Sequence, residues 1–168
     1  MTGEQAAVSS SEQAAASASP AQGRRPRPAI SRDIEFFFEG TRHGKLLIQR
    51  CASCGILRHP PLPACSTCRS FDWDTVEATG RGTVFSFVEV HHPKVPGFNY
   101  PLAIALVELE EGTRIVANVS GNPADVHIGM EVTAEIVAFD DELSLPVFHP
   151  VELDGSVATG LGAVGGNA

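Results

Sequence analysis

The chain is poor in several things that many functions require. It has one tryptophan and one tyrosine beside nine phenylalanines in 168 residues. No stretch approaches the roughly 20 apolar residues of a membrane-spanning helix. The Ala/Ser/Gln-rich start has no continuous apolar core of the kind that drives export, so a cytoplasmic location is expected. Cations are scarce in the second half: residues 82–168 hold only Lys94 and Arg114 against twelve Asp/Glu, a balance of −10. Residues 1–81 hold ten Lys/Arg against eight Asp/Glu, a balance of +2, which gives the net −8. A nucleic-acid surface draws most of its affinity from phosphate neutralisation, and the acidic half opposes it. No Ser/His/Asp order and no paired carboxylates stand in a recognisable setting. Asn99, Asp125, His127 and His149 are polar candidates without such a context.

What the chain does have is concentrated in residues 51–68. All four cysteines lie there, as Cys51-Ala-Ser-Cys54 and Cys65-Ser-Thr-Cys68. A C-x-x-C pair curls into a turn that aims two thiolates at one point. Two such turns supply the ligands of a tetrahedral site with Zn–S of about 2.3 Å. Gly55 suits the left-handed position that closes such a knuckle. The loop between the pairs is proline-rich and too short for a helix, which favours a zinc ribbon over a DNA-reading finger. Two disulfides would need an oxidising compartment, and redox catalysis would use one pair. The same thiolates also bind iron, and spacing does not separate the two metals. His59 lies between the pairs, but four thiolates already close a structural site.

The remaining pattern is mainly β. Residues 1–30 read as a disordered tail in which Arg24, Arg25 and Arg27 are solvated. Ser31 is placed to N-cap a helix to about Arg42, with Ile34, Phe37, Phe38 and Thr41 on one face and Phe36 off it. Three consecutive phenylalanines exceed the need of one core stripe, so part of this surface is a candidate partner or ligand contact. Strands at 46–50 and 71–76 flank the knuckles, with Phe71 and Trp73 covering one face of a small sheet. Helix and ribbon together occupy residues 31–79.

From Gly80 to Pro150 five strands are expected, at 82–90, 101–109, 113–119, 131–139 and 143–150. A break after the third matches a five-stranded Greek-key barrel, the OB fold. In the first, Val84, Ser86, Val88 and Val90 would share one face, with Phe85 and Phe87 on the other. The segment 122–128 has room for a single helical turn at most. Residues 151–168 read as a flexible tail.

Phe36-Phe-Phe38, Leu46–Cys51, Cys54-Gly55, Cys65–Cys68, Trp73, Gly80–Val84, Tyr100–Leu109, Glu111–Arg114 and Ile128–Met130 together resemble a known family. It is the domain-of-unknown-function family thirty-five, the acyl-CoA-associated zinc-ribbon/OB-fold proteins, over about residues 31–150. Two departures stand at the second knuckle: Pro63-Ala64-Cys65, and Arg69 where glycine is frequent. The resemblance implies a zinc-binding, non-catalytic subunit that docks on a thiolase or a lipid-transfer-protein-like aldolase acting on CoA thioesters, steroid side-chain cleavage included. In some systems it holds a thiolase against a synthase. On that reading Phe36, Phe37 and Phe38 are candidates for partner or acyl-CoA contact. Arg50, Arg58, Arg69 and Arg81, with Lys45, are candidates for phosphate contact, or else they solvate the ribbon and pair with Asp72 and Asp74. His91, His92, Lys94 and Tyr100, in the loop after the first barrel strand, form a third candidate contact. The runner-up function is a single-stranded nucleic-acid module, since ribbons and OB folds both serve that role.

Overall fold

The computed structural model describes residues 23–151; most of both expected tails lies outside that range. A helix, α1 (Glu35–Arg42), leads into a three-stranded antiparallel sheet of order β2-β1-β3. Its strands are β1 (Leu47–Cys51), β2 (Leu57–Arg58) and β3 (Trp73–Glu77). The closed barrel that follows has the order β4-β5-β6-β8-β7. Its strands are β4 (Arg81–Val90), β5 (Leu102–Leu109), β6 (Arg114–Val119), β7 (Glu131–Asp140) and β8 (Leu143–Pro150). Strand β6 pairs with β8 in parallel and β4 with β7 antiparallel, which closes the five-stranded OB barrel. Between β6 and β7 lies one 3-10 turn, Pro123–Asp125, whose first free N–H groups are served by Asn122 Oδ1 accepting from Ala124 N–H.

The helix begins later than expected. Residues 31–34 form a turn in which Ile34 N–H donates to the Ser31 carbonyl at 3.1 Å, and no side chain caps the helix. Phe37 is buried, Gly40 packs so closely on Leu47 that no side chain fits, and Phe36 leans on Trp73 with ring centroids 5.1 Å apart. The helix therefore rests on the ribbon through β1 and on the barrel through β8.

Two face assignments are corrected. Register shifts between Val84 and Ser86, so a bulge at Phe85 turns the rest of β4 over. Val84 is buried and Phe87 packs on the core, while Val88 points outward at 57 % exposure. Phe71 and Trp73 do not form a covered face either. Strand β3 starts only at Trp73, and Phe71 stands 73 % exposed beyond its end. The ribbon sheet is too narrow to bury both, and Phe36 covers only Trp73. The proline-rich loop between the knuckles, too short for a helix, holds the two-residue strand β2.

Strands β4 and β5 meet at Gly82, where an added Cβ would collide with the Glu108 carbonyl. Inside the barrel, Val84, Ala105, Val107, Leu109, Ile115, Val132 and Phe148 are all at most 2 % exposed. Burial of these side chains, at roughly 1.5–3 kcal/mol for each large one, is the main stabilising term.

Candidate metal centre and the surfaces around it

The four cysteines converge. Their Sγ atoms all lie within 4.8 Å of one another, with Cys51–Cys68 at 3.5 Å and Cys54–Cys65 at 3.6 Å. A tetrahedron with bonds of about 2.3 Å has edges of about 3.8 Å, so the spacing fits a thiolate-bound zinc. It is too long for disulfides, whose S–S length is about 2.05 Å. The knuckles are built alike. Gly55 N–H donates to the Cys51 carbonyl and Arg69 N–H to the Cys65 carbonyl, each at 2.9 Å. Cys51 N–H reaches the Ile56 carbonyl at 3.0 Å, and Cys65 N–H reaches that of Ser70 at 2.8 Å. Each knuckle closes through a left-handed residue, Gly55 at φ 75° and Arg69 at φ 62°. Arg69 is the one non-glycine with positive φ among the described residues.

Electrostatics in the cluster call for a cation. The N–H groups of Cys68 and Thr67 bring the Cys65 thiol down to about 6. Cys54 goes the other way. Although Ile56 N–H favours its thiolate, the thiols of Cys68, Cys51 and Cys65 push it up to about 12. Four thiolates this close cannot all carry charge unless a metal neutralises them. One of each pair is buried, Cys51 and Cys65, and one faces outward, Cys54 and Cys68.

The cations expected beside the ribbon do not converge. Arg50 grips Asp74 with two N–H groups, Nε at 2.8 Å, and holds its carboxyl below the usual range. Lys45 Nζ lies 2.8 Å from Glu77 Oε2 and Arg81 Nε 3.2 Å from Glu110 Oε2. Arg69 is exposed on the second knuckle. Arg58 differs from all of them: it is 6 % exposed, and none of its three guanidinium nitrogens meets an acceptor among the described residues.

In the loop after β4, His91, His92 and Lys94 are exposed, and His91 Nε2 lies 3.2 Å from Glu89 Oε1. Tyr100 closes this loop, its hydroxyl accepting from Val95 N–H at 3.0 Å. The loop also holds part of the N-terminal segment, contrary to the solvated tail expected there. The Arg25 guanidinium sits 3.4 Å from the Phe139 ring centroid and 4.4 Å from that of Phe98. Its Nε donates to the Gly97 carbonyl at 3.2 Å, and Arg27 bridges Asp140 and Glu142. Alternating Arg and Pro gave a charge signal, but nothing in sequence pairs Arg25 with rings more than seventy residues away.

A contact that sequence order did not suggest lies on the barrel's outside. Ser120 Oγ is 2.8 Å from His149 Nδ1, and Glu135 Oε2 is 3.0 Å from Nε2, but off the line of a hydrogen bond. Asn99, Asp125 and His127 are exposed apart from it.

Between helix, ribbon and barrel opens an apolar cleft of about 270 Å³. Phe37 and Phe38 form one wall, Pro60 and Pro61 another, and Val116 and Leu145 the barrel side. Two polar atoms in its lining residues, His59 Nδ1 and Asn118 Nδ2, are buried without partners among the described residues. Burial brings the His59 imidazole down to about 4.

Residues 38–74 match the family model for the ChsH2 rubredoxin-like zinc ribbon domain, and residues 75–137 that for the ChsH2 C-terminal OB-fold domain. Over 127 residues the chain is 55 % identical to the probable enoyl-CoA hydratase alpha subunit of Thermomonospora curvata, covering 75 % of this chain and 40 % of that protein. It thus spans about two fifths of the length of the first curated relatives it matches. It is 29 % identical over 113 residues to the benzoylsuccinyl-CoA thiolase subunit BbsA of Thauera aromatica, covering 63 % of this chain and 78 % of that one. A solved chain of the Ltp2-ChsH2(DUF35) aldolase superposes with TM-score 0.70 at 54 % identity, covering 74 % of this chain and 98 % of that one.

Proposed function

Because the chain belongs to the ChsH2/DUF35 family of zinc-ribbon and OB-fold proteins, we propose that it is a non-catalytic zinc-binding subunit that docks on a thiolase-fold enzyme. The enzyme is a thiolase, or an aldolase acting on CoA thioesters, and this subunit helps form or steady its acyl-CoA site. One observation carries the reading: the fold matches nearly the whole of a chain from an aldolase whose name joins two components, Ltp2 and ChsH2. The name of the thiolase subunit BbsA points to the same kind of assembly.

The geometry agrees with a structural role. A four-thiolate site keeps no open position for substrate, so zinc here shapes the ribbon and supplies no Lewis acid. The ribbon in turn holds Phe36 against Trp73 and sets α1 against the barrel. Thiol ligands also suit a reducing cytoplasm. Chemistry belongs to the partner's residues.

The test is co-expression with the Ltp2 subunit of that aldolase, followed by size-exclusion chromatography with light scattering. Co-elution as one species, with turnover of a CoA thioester only in the complex, is expected. Separate elution of two folded proteins overturns the reading. Sub-micromolar binding to single-stranded DNA at low salt would favour the nucleic-acid alternative instead.

A further inference from the structure

We propose that the cradle between the 91–100 loop and the β7–β8 turn is a binding site for an arginine-bearing, extended peptide of another protein. The chain closes this cradle with its own residues 24–28, which such a peptide must displace. The inference goes beyond the docking reading and stands independently of it.

The seated strap reports what the cradle accepts. Arg25 and Arg27 each precede a proline, which keeps both extended, and the prolines have no N–H to offer a sheet. Arg25 is the one residue of 23–30 that is not exposed. Its guanidinium lies against the Phe98 and Phe139 rings, while Arg27 reaches Asp140 and Glu142. The main chain is received as well. At Gly97, φ 86°, an added Cβ would stand 2.8 Å from Arg25 N. The cradle therefore matches a peptide in three ways: rings for a flat cation, carboxylates for a second, and a bare backbone where the strap passes.

Position and hold distinguish a binding site from a fixed tether. In an OB barrel, the loop between the first two strands and the one between the last two frame the ligand face. Here these are the 91–100 loop and the Asp140–Glu142 turn, and the strap lies across both. No main-chain hydrogen bond ties residues 24–28 to other backbone among the described residues. The ion pairs of Arg27 are solvent-exposed, where such pairs contribute little. A strap held by side chains alone is exchangeable. Charge then selects the entrant. The turn is Asp140-Asp141-Glu142, and the facing loop sets only Lys94 against it. Phosphate groups meet repulsion there, whereas arginine forks meet carboxylates and rings.

The test uses the full zinc-loaded chain, with the synthetic peptide of residues 23–29 as probe and NMR as readout. Arg25→Ala combined with Arg27→Ala opens the cradle. Should that double variant lose its folded amide spectrum, Arg27→Ala alone takes its place. The peptide should give saturable shifts of the Gly97, Phe98 and Phe139 amides in the opened chain. Wild type should need at least about fivefold more peptide, because a tethered strap competes at a roughly millimolar effective concentration. Phe139→Leu in the opened chain should weaken binding at least about fivefold, as should lysine in place of the peptide's arginines. No saturable shift at millimolar peptide overturns the inference. Equal affinity in wild type and opened chain also overturns it, since the peptide would then bind elsewhere. Equal binding of the lysine peptide, or full binding by the Phe139→Leu chain, reduces the effect to net charge and overturns it too.

Discussion

Gln49 and Arg58 stand opposite each other on β1 and β2, but Gln49 gives its amide to the backbone of Leu62, donating to the carbonyl at 3.1 Å and accepting from the N–H at 2.9 Å. The guanidinium beside it is left with no acceptor among the described residues. A buried, unpaired cation costs several kcal/mol, and an apolar residue of similar length removes that cost. Arg58→Met should therefore stabilise the isolated chain by about 1–3 kcal/mol in urea unfolding. An unchanged or lower midpoint would mean that Arg58 has an acceptor outside residues 23–151.

Arg69 occupies in the second knuckle the left-handed position that Gly55 takes in the first. Holding a side chain there costs roughly 1–2 kcal/mol, part of which glycine returns through the entropy of the unfolded chain. Arg69→Gly should raise stability by about 1 kcal/mol with zinc content unchanged, checked by thermal melts of the metal-loaded protein.

Removing the metal should act on the front of the molecule first. Cys51→Ser, or chelation, should release one zinc per chain and abolish protection of β1–β3 amides in hydrogen exchange, because the ribbon has little core of its own. Barrel amides should keep most of their protection, since Phe148, Ile115 and Val107 pack without the ribbon's help. Binding of the aldolase subunit should be lost together with the ribbon.

His59 gives the fold an acid sensitivity. Its folded value of about 4 lies below the ordinary 6.5, so the stability it contributes is whole above pH 6.5 and is lost as pH falls from 6.5 to 4. The ceiling is about 3 kcal/mol, and about 2 kcal/mol is expected because the residue is only partly buried. The difference in denaturation midpoint between wild type and His59→Phe, followed over that window, should shift in favour of the variant on acidification.

The N-terminal latch is testable at Arg25. Cation–π contacts contribute about 0.5–2 kcal/mol, and Arg25 makes two. Arg25→Ala should cost about 1–2 kcal/mol and speed limited proteolysis within residues 91–100, read by mass spectrometry of the fragments. Cleavage at the wild-type rate would show that the latch does not order the loop.

Local chemistry explains what was legible in the chain. The C-x-x-C pairs announce their own geometry, because three-residue spacing leaves two thiols little choice. The barrel strands show in runs of Val, Ile and Leu between turns. Composition marks the length of the first barrel strand but not its faces, since one extra residue at Phe85 reverses the later side chains and leaves no compositional trace. Ser31 has the chemistry of a helix cap, yet its carbonyl, not its hydroxyl, shapes the entry turn. The burial of Arg58 and the cleft at Asn118 were out of reach, because both arise where separate elements meet. Of the candidate contact residues, Arg50 already spends its fork on Asp74, while Phe37 and Phe38 line the cleft.

The closed barrel carries one last consequence. Its five strands complete a ring, but the closing seams are short: β4 pairs with β7 only over Arg81–Thr83, and β6 with β8 only at Asn118 and Val119. The ribbon is different: with the order β2-β1-β3, strand β3 keeps one flank open from Trp73 to Glu77. A neighbour that joins this molecule by strand addition finds a whole strand flank open along the ribbon. There Asp74 and Glu77, already engaged by Arg50 and Lys45, guard against indiscriminate pairing.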